Sequence, residues 1–370
     1  MDFATGKQHD LIRDKARAFC DQEIRPYIRE WDRTGVFPHQ IVQKLGEQGF
    51  LGLCIPETEG GCGSDHLSLG LVCEELERAD TAFRVFISVH LGLNSLALLQ
   101  WGTDEQKQRY LHAQAKGEKI APFALTEPEA GSDVAALQTR AHFKNGVYCI
   151  NGEKSWIGFA DIADHFLVFA STEPSLGKRG ITAFFIERNT PGLQTASIDH
   201  KLGGRAGNTV RLFLQNVQVE EKNRLGAEGE GFKIAMTALD NGRFTVVAGA
   251  VGLIEACLDA SISFSKQRET FGQPIGKHQL IQQKIADMVA NRDIGRLLYY
   301  QVGWLKDNST RCTREVGLAK WINCRNAFAA ADDAVQIHGA RGARIYEGTE
   351  EIHQILQTEY ALGYRQDKPL

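Results

Sequence analysis

The chain has 370 residues, 43% of them hydrophobic, enough to bury more than one substantial core. Its 42 basic and 46 acidic residues leave a net charge of -4, so it carries neither the polycationic surface that holds nucleic acid nor an acidic tail. The eight cysteines, at 20, 54, 62, 73, 149, 257, 312 and 324, form no C-x-x-C pair, and reduced thiols with no metal site are expected. The amino-terminal stretch MDFATGKQHDLIRDKARAFC reads as neither a secretory signal nor a transit peptide. No apolar run approaches the ~20 residues needed to span a bilayer, so a cytoplasmic protein without a membrane span is expected.

From His9 to about Gly117 the apolar residues recur at helical spacing, with breaks at VFPHQ and IPETEGGCGSD. Near Ala121 the pattern changes. HFKNGVYCINGEKSWI contains two Asn-Gly turn signals, and HFLVFAST, GITAFFIE and TVRLFLQNVQV are short β-branched or aromatic runs bounded by glycine and proline. After NRLGAEGEGF the helical spacing returns in long stretches. The expected fold is α+β: an N-terminal helical domain (1–120), a middle sheet or barrel-like domain (121–228) and a C-terminal four-helix bundle (229–370).

The chain has no G-x-G-x-x-G after a strand, no P-loop, no H-E-x-x-H and no G-x-S-x-G, which removes the common dinucleotide, triphosphate, zincin and esterase signatures. Four other stretches need a joint explanation: LTEPEAGSD (Leu125 to Asp133), EKSWI (Glu153 to Ile157), RETFGQPIGKHQ (Arg268 to Gln279), and VQIHGA with IYEGT near the end. In this order, across an α, β, α chain, they resemble the acyl-CoA dehydrogenase family over essentially the whole sequence.

The resemblance implies FAD as cofactor and α,β-dehydrogenation of an acyl-CoA thioester, with hydride passing to flavin N5. A planar flavin needs hydrogen bonds along its pyrimidine edge and an apolar lid. Leu125, Thr126, Gly131 and Ser132 match the edge, and Trp156, Ile157 and Gly158 match the lid. Read alone, Trp156 serves equally as core filling. Arg268, Thr270 and Phe271 match the stretch that meets the diphosphate of a neighbouring subunit's FAD. Gln279, Gln336, Ile337, Gly339, Ala340, Thr349 and Glu351 match further cofactor contacts. A cofactor completed across an interface implies a homotetramer, and the resemblance adds an electron-transferring flavoprotein as acceptor.

For the acyl-CoA, Ser132, Asp240, Arg243 and Gly348 match substrate-binding positions, although Asp-Asn-Gly inside a helical pattern also reads as a cap or break. Glu347 stands apart from Glu350 and Glu351 and matches the base that removes the α-proton, its backbone N–H helping to hold the thioester oxygen. Glu350 and Glu351 read as a helix's first turn, with Glu350 facing solvent. Glu77, Arg84 and Ser88 match the glutaryl-CoA dehydrogenase branch, where an Arg and a Ser grip a distal carboxylate; a helix-to-helix salt bridge is the other reading of Arg84. A short or medium acyl-CoA is the default, a dicarboxylic one the alternative, and a non-catalytic acyl-CoA-binding homologue the alternative from another class.

The match departs from the family in two places. Between QIHGA and IYEGT only RGAR is present, where a further helical stretch is the norm. At roughly 3.4 Å per residue, four residues cannot trace that path. Either the chain takes a shortcut or a segment is missing from the sequence, and the register of ARIYEGT favours the second. Gly158 also replaces the Thr or Ser whose hydroxyl meets flavin N5.

Overall fold

The structure is a computed structural model and describes residues 5–340 and 342–365. The first third is helical, as expected: α1 (Lys7–Phe19), α2 (Ile28–Thr34), α3 (Gln40–Glu47), α4 (His66–Ala79), α5 (Thr81–Ile87), α6 (Leu96–Trp101), α7 (Asp104–Gln106) and α8 (His112–Ala115). Asp65 caps α4 by accepting from the Ser68 N–H, which fixes where the glycine-rich break ends. Between α5 and α6, Ser88–Ser95 widens into π-helical turns, a feature that often marks functional segments because it turns side chains out of the regular helical register.

The middle third forms one sheet from β1 (Phe123–Ala124), β2 (Arg140–Lys144), β3 (Val147–Gly158), β4 (His165–Ser171), β5 (Ile181–Glu187), β6 (Leu193–Ser197), β7 (Thr209–Glu220) and β8 (Arg224–Leu225). The order is β6-β7-β3-β2-β4-β5-β8, with β1 added parallel to β4. Asn145 and Gly146, at φ 54° and 80°, make the tight turn between β2 and β3, the geometry Asn-Gly favours in hairpins. The second Asn-Gly is not a turn. Asn151 and Gly152 lie inside β3, where the register against β7 shifts between Ile150 and Gly152. Pairing along β7 outweighs the local signal and converts it into a bulge.

The last third contains α9 (Gly231–Gln267), the hairpin β9 (Glu269–Thr270) and β10 (Gln273–Pro274), α10 (Gln279–Asp307), α11 (Thr313–Ile337), α12 (Gly342–Ile345) and α13 (Glu350–Ala361). Asp-Asn-Gly neither caps nor breaks α9, which runs through it. The bundle is built on three long helices. α4 packs against α9 and α10, and α13 touches α10 and α11 at its first turn, where Glu351 lies 3.7 Å from Lys284 and accepts a hydrogen bond of 3.0 Å from Gln336. Only the short RGAR connection noted in the sequence separates α11 from the element that carries Glu347 towards α13.

Two apolar runs are longer than the sequence reading counted: by length and composition alone, Thr81–Trp101 and Gly231–Gln267 could cross a bilayer. Their apolarity serves the interior: 78% and 56% of the most apolar windows are buried.

A buried polar cluster joins the helical domain to the sheet. His90 Nδ1 accepts from the Ala121 N–H at 3.2 Å and its Nε2 donates to the Gln114 carbonyl at 3.0 Å, while Gln114 Nε2 donates to His165 Nε2 at 2.7 Å. Burial pushes His90 down to about 4 and His165 down to about 3, so both are neutral in the folded chain. The unfolded chain takes up these protons from about pH 6.5 downward, and the folded chain does not until each lowered value is reached. The histidines' contribution to stability is therefore lost as pH falls from about 6.5 towards 4, on the order of 3 kcal/mol for His90. Urea unfolding between pH 7.5 and 4.5 is expected to show this fall. In His90→Gln the slope is expected to be shallower, and an unchanged slope would exclude His90 as its source.

Candidate functional site

β3 ends in a second register shift, between Lys154 and Ile157. Inside it Trp156 sits at φ 60° with 62% of its surface exposed, which rules out the core-filling reading. A bulky aromatic residue with positive φ is strained, and such residues persist where the surroundings impose them, commonly at functional sites. The Ser155 N–H donates to the Thr126 carbonyl at 2.9 Å, so Leu125 and Thr126 lie beside Trp156 and Ile157. Beneath them Lys154 donates to Glu127 at 2.7 Å and to the Leu125 carbonyl at 3.1 Å. Gly131 and Ser132 follow on an exposed loop, and nothing lies within 4 Å of where a Gly131 side chain would begin.

The π-helical turns Ser88–Ser95 bridge this strand end to α9. Val89 approaches to 3.7 Å of where a Gly158 side chain would begin, leaving room there for the hydroxyl-bearing residue that glycine replaces. On the other side Ser88 Oγ lies 3.5 Å from the Gly242 carbonyl. Next along α9, Arg243 donates to Asp240 at 2.8 Å, and Asp240 also accepts from Thr313 at 2.7 Å. Arg84, buried, pairs with Glu77 and lies against Gly249. Thr81 holds the other Glu77 oxygen at 2.7 Å.

A second group collects at the far end of α9. Phe271 and Gly272, at φ 52° and 76°, form the tight turn of the β9–β10 hairpin, with Phe271 82% exposed. Arg268 and Gln279 are exposed on either side of this hairpin, and Thr270 pairs with His278 at 3.1 Å. Stacking of Phe264 on His338, centroids 4.5 Å apart, brings in the end of α11 with Gln336, Ile337, Gly339 and Ala340. Gly339, at φ 72°, closes α11: its N–H bonds the Gln336 carbonyl and that of Ala340 bonds the Val335 carbonyl. Gln336 Oε1 is buried with no hydrogen-bond partner among the described residues. At 1.5 Å per residue, Arg268 lies roughly 38 Å along α9 from Arg243, so the expected cofactor residues fall into two separated groups.

Glu347 occupies the short link between α12 and α13, exposed and at φ 57°, beside Gly348 at φ 110°. Thr349 caps α13 by accepting from the Ile352 N–H at 3.3 Å. Glu350 and Glu351 fill the first turn as expected. Glu350 does not face solvent freely. It is half-buried and makes an ion contact of 3.0 Å with Arg344, off hydrogen-bond alignment, while Arg344 also meets Asp332 at 3.2 Å.

Sequence reasoning missed the Lys154–Glu127 pair and the π-helical turns. The first had a signal: with Tyr148 and Ile150 facing inward, strand alternation places Lys154 on the buried side. The second had none, since eight residues between two α-helices are too short a stretch for a changed period to be read from sequence.

The donor set fits a flavin nucleotide: exposed aromatic surface at Trp156, a hydroxyl at Thr126, open space at Gly131, and an unpartnered buried amide oxygen on Gln336. Family models for the acyl-CoA dehydrogenase N-terminal, middle and C-terminal domains match residues 6–118, 122–217 and 229–358. An acyl-CoA dehydrogenase of Bacillus subtilis is 38% identical, covering 95% of this chain and 97% of the relative. Butyryl-CoA dehydrogenase from Megasphaera elsdenii superposes with a TM-score of 0.90 at 34% identity, covering 98% of this chain and 100% of that one. A glutaryl-CoA dehydrogenase from Mycobacterium smegmatis in complex with FADH2 gives 0.87 at 31%, covering 97% and 95%. The chain thus belongs to the acyl-CoA dehydrogenase family, oxidoreductases that use FAD.

Proposed function

We propose that the protein desaturates an acyl-CoA thioester between Cα and Cβ, with Glu347 as the base. The supporting observation is a strained carboxylate-bearing residue, Glu347 at φ 57°, followed by a glycine and pinned on both sides. Arg344 ties the link to Asp332 and Glu350 on one side, and the Gln336–Glu351–Lys284 contacts tie α13 on the other. A short loop held at both ends presents one carboxylate and one backbone N–H together, which is what α-proton removal and support of the developing enolate oxygen require. When bound, FAD supplies the acceptor for the hydride leaving Cβ. Asp240 and Arg243 meet the CoA moiety, and an electron-transferring flavoprotein takes the electrons onward.

For the substrate, a short acyl-CoA is the primary reading. Glu77, Arg84 and Ser88 support a second, glutaryl-CoA or another dicarboxylic acyl-CoA, because they bring a buried guanidinium and a hydroxyl to the stretch that packs on Gly242. The Glu77 pair already compensates Arg84, so a substrate carboxylate has to compete with or join it. Arg84→Ala is expected to lower kcat/KM for glutaryl-CoA at least a hundredfold more than for butyryl-CoA, because it strands a desolvated carboxylate. Equal losses on both substrates would assign Arg84 to structure alone.

The two separated groups of cofactor residues support a homotetramer in which one subunit's Arg268 group completes another's site. Leu318, Trp321, Phe328 and Val335 leave an exposed apolar stripe along α11 for such packing. Arg268→Ala is expected to weaken FAD retention on gel filtration while leaving acyl-CoA affinity within about threefold, since its charge serves the pyrophosphate. A monomer that binds no FAD after refolding with excess cofactor would defeat this reading.

Glu347→Gln keeps the side chain's size but cannot accept a proton at neutral pH. In anaerobic stopped-flow it is expected to bind acyl-CoA yet slow flavin bleaching by several orders of magnitude. Glu350→Gln, which removes a neighbouring carboxylate and its Arg344 contact while Asp332 still holds Arg344, is the control and should bleach far faster than Glu347→Gln. Near-normal bleaching in Glu347→Gln would show that the shortened connection has transferred the role to another group.

A further inference from the structure

We propose that the buried Glu127–Lys154 ion pair is a positioning device for the flavin, locking the loop at its pyrimidine edge to the strained strand end that carries Trp156. This rests on the FAD site assigned above.

Lys154 is fully buried and Glu127 is 4% exposed. The carboxylate is fully engaged. Oε1 accepts from Lys154 at 2.7 Å and from the Thr139 N–H at 3.0 Å, and Oε2 accepts from the Gln138 N–H. The ammonium also donates to the Leu125 carbonyl at 3.1 Å. One pair thus ties together the residue before Thr126, the turn closed by Glu127 and Ala130, the entry to β2 and the inner face of β3. Lys154, opposite Leu212, is the last residue of β3 in register before the bulge, and Ile157, opposite Val210, resumes pairing. Trp156 is therefore pushed outward from a strand whose position the pair fixes on one side.

Stability is a weak reason for such a pair. Desolvating two charges costs several kcal/mol per ion, and apolar replacement of such pairs is often neutral or stabilising. Burial pushes Lys154 down to about 8; burial also works to raise Glu127, but Lys154 and the two amides outweigh it and hold the carboxyl below its ordinary value. The pair is charged at neutral pH, and neither member has a part in the proton transfer. Its distinguishing property is geometric: a buried, multiply bonded carboxylate tolerates little displacement, and a cofactor edge recognised by hydrogen bonds requires that.

The deciding variant is Glu127→Gln combined with Lys154→Met, which removes both charges at similar volume, because either single change strands a buried partner and risks unfolding. In the full-length apoprotein the far-UV circular dichroism at the assay temperature is expected to match wild type, although the melting temperature falls because glutamine accepts from only one of the Gln138 and Thr139 amides. FAD binding, followed by flavin fluorescence, should weaken at least tenfold, and the vibrational structure of the bound flavin's absorption should flatten. Wild-type FAD affinity and an unaltered flavin spectrum in the double variant would overturn the proposal. A second measurement needs no variant. Amide exchange in wild-type apoprotein should find Gln138, Thr139 and Ser155 already protected before FAD is added, and exchange as fast as in open loops would also overturn it. If wild-type protein shows no FAD binding in the same titration, the underlying site reading itself fails, a result distinct from either of the others.

Discussion

The close seam between α9 and the N-terminal helices is the constraint on which the arrangement rests. Gly242, Gly249 and Gly252 lie on the side of α9 that faces this seam. A side chain at Gly242 would begin 2.5 Å from Leu93, at Gly249 it would begin 2.9 Å from Arg84, and at Gly252 it would collide with the Glu74 carbonyl. At Gly252 such overpacking displaces backbone, and at Gly242 and Gly249 it forces the Leu93 and Arg84 side chains from their places. Without the glycines, the segment Ser88–Ser95 would stand away from α9, and the strand end at Gly158 would lose its neighbour. The seam is reinforced by Glu74, which accepts from Arg296 and Tyr299 of α10, at 2.5 and 2.6 Å, so the helical domain is clamped to two helices of the bundle.

On this frame the chain holds unusual backbone at several residues in and beside the candidate site. Trp156, Phe159, Phe271 and Glu347 all have positive φ although none is glycine. Three lie within stretches that resemble the family's cofactor and base positions, and Phe159 directly follows one. Each has a different setting: Trp156 lies in a bulge between paired strands, Phe159 packs against Phe37 and Phe86 at 4.9 and 5.1 Å, Phe271 lies in a two-residue turn, and Glu347 lies in the short link between α12 and α13. Strain at these points is sustained by rigid surroundings, which is how a site can be shaped before its ligand arrives.

Much of this was legible beforehand. Helical and strand periodicities placed the α, β, α order, because one buried face imposes its period on the chain. The stretches around Thr126, Trp156, Arg268 and Glu347 were found as sequence, and the structure gathers them into two groups rather than one. Asn151–Gly152 misled, and the alternative reading of Asp240-Asn241-Gly242 as a cap or break fails, since turn and cap signals are weak local preferences that long-range pairing and helix packing override. Glu350 was read as a solvated first-turn acid because helix position is local, while its contact with Arg344 depends on how the shortened connection folds back.

The sequence by itself determined the order of helical and strand segments, the Asn145-Gly146 turn, and which family the chain resembles, because these follow from apolar period, local sterics and residue identity. Only the tertiary structure decided that Trp156 is exposed, that Lys154 is buried against Glu127, that Arg84 is paired with Glu77, and that the Arg268 group lies far along α9 from Arg243. Those outcomes depend on contacts between residues distant in the chain, where burial and charge compensation are settled jointly by several elements and no single stretch carries the information.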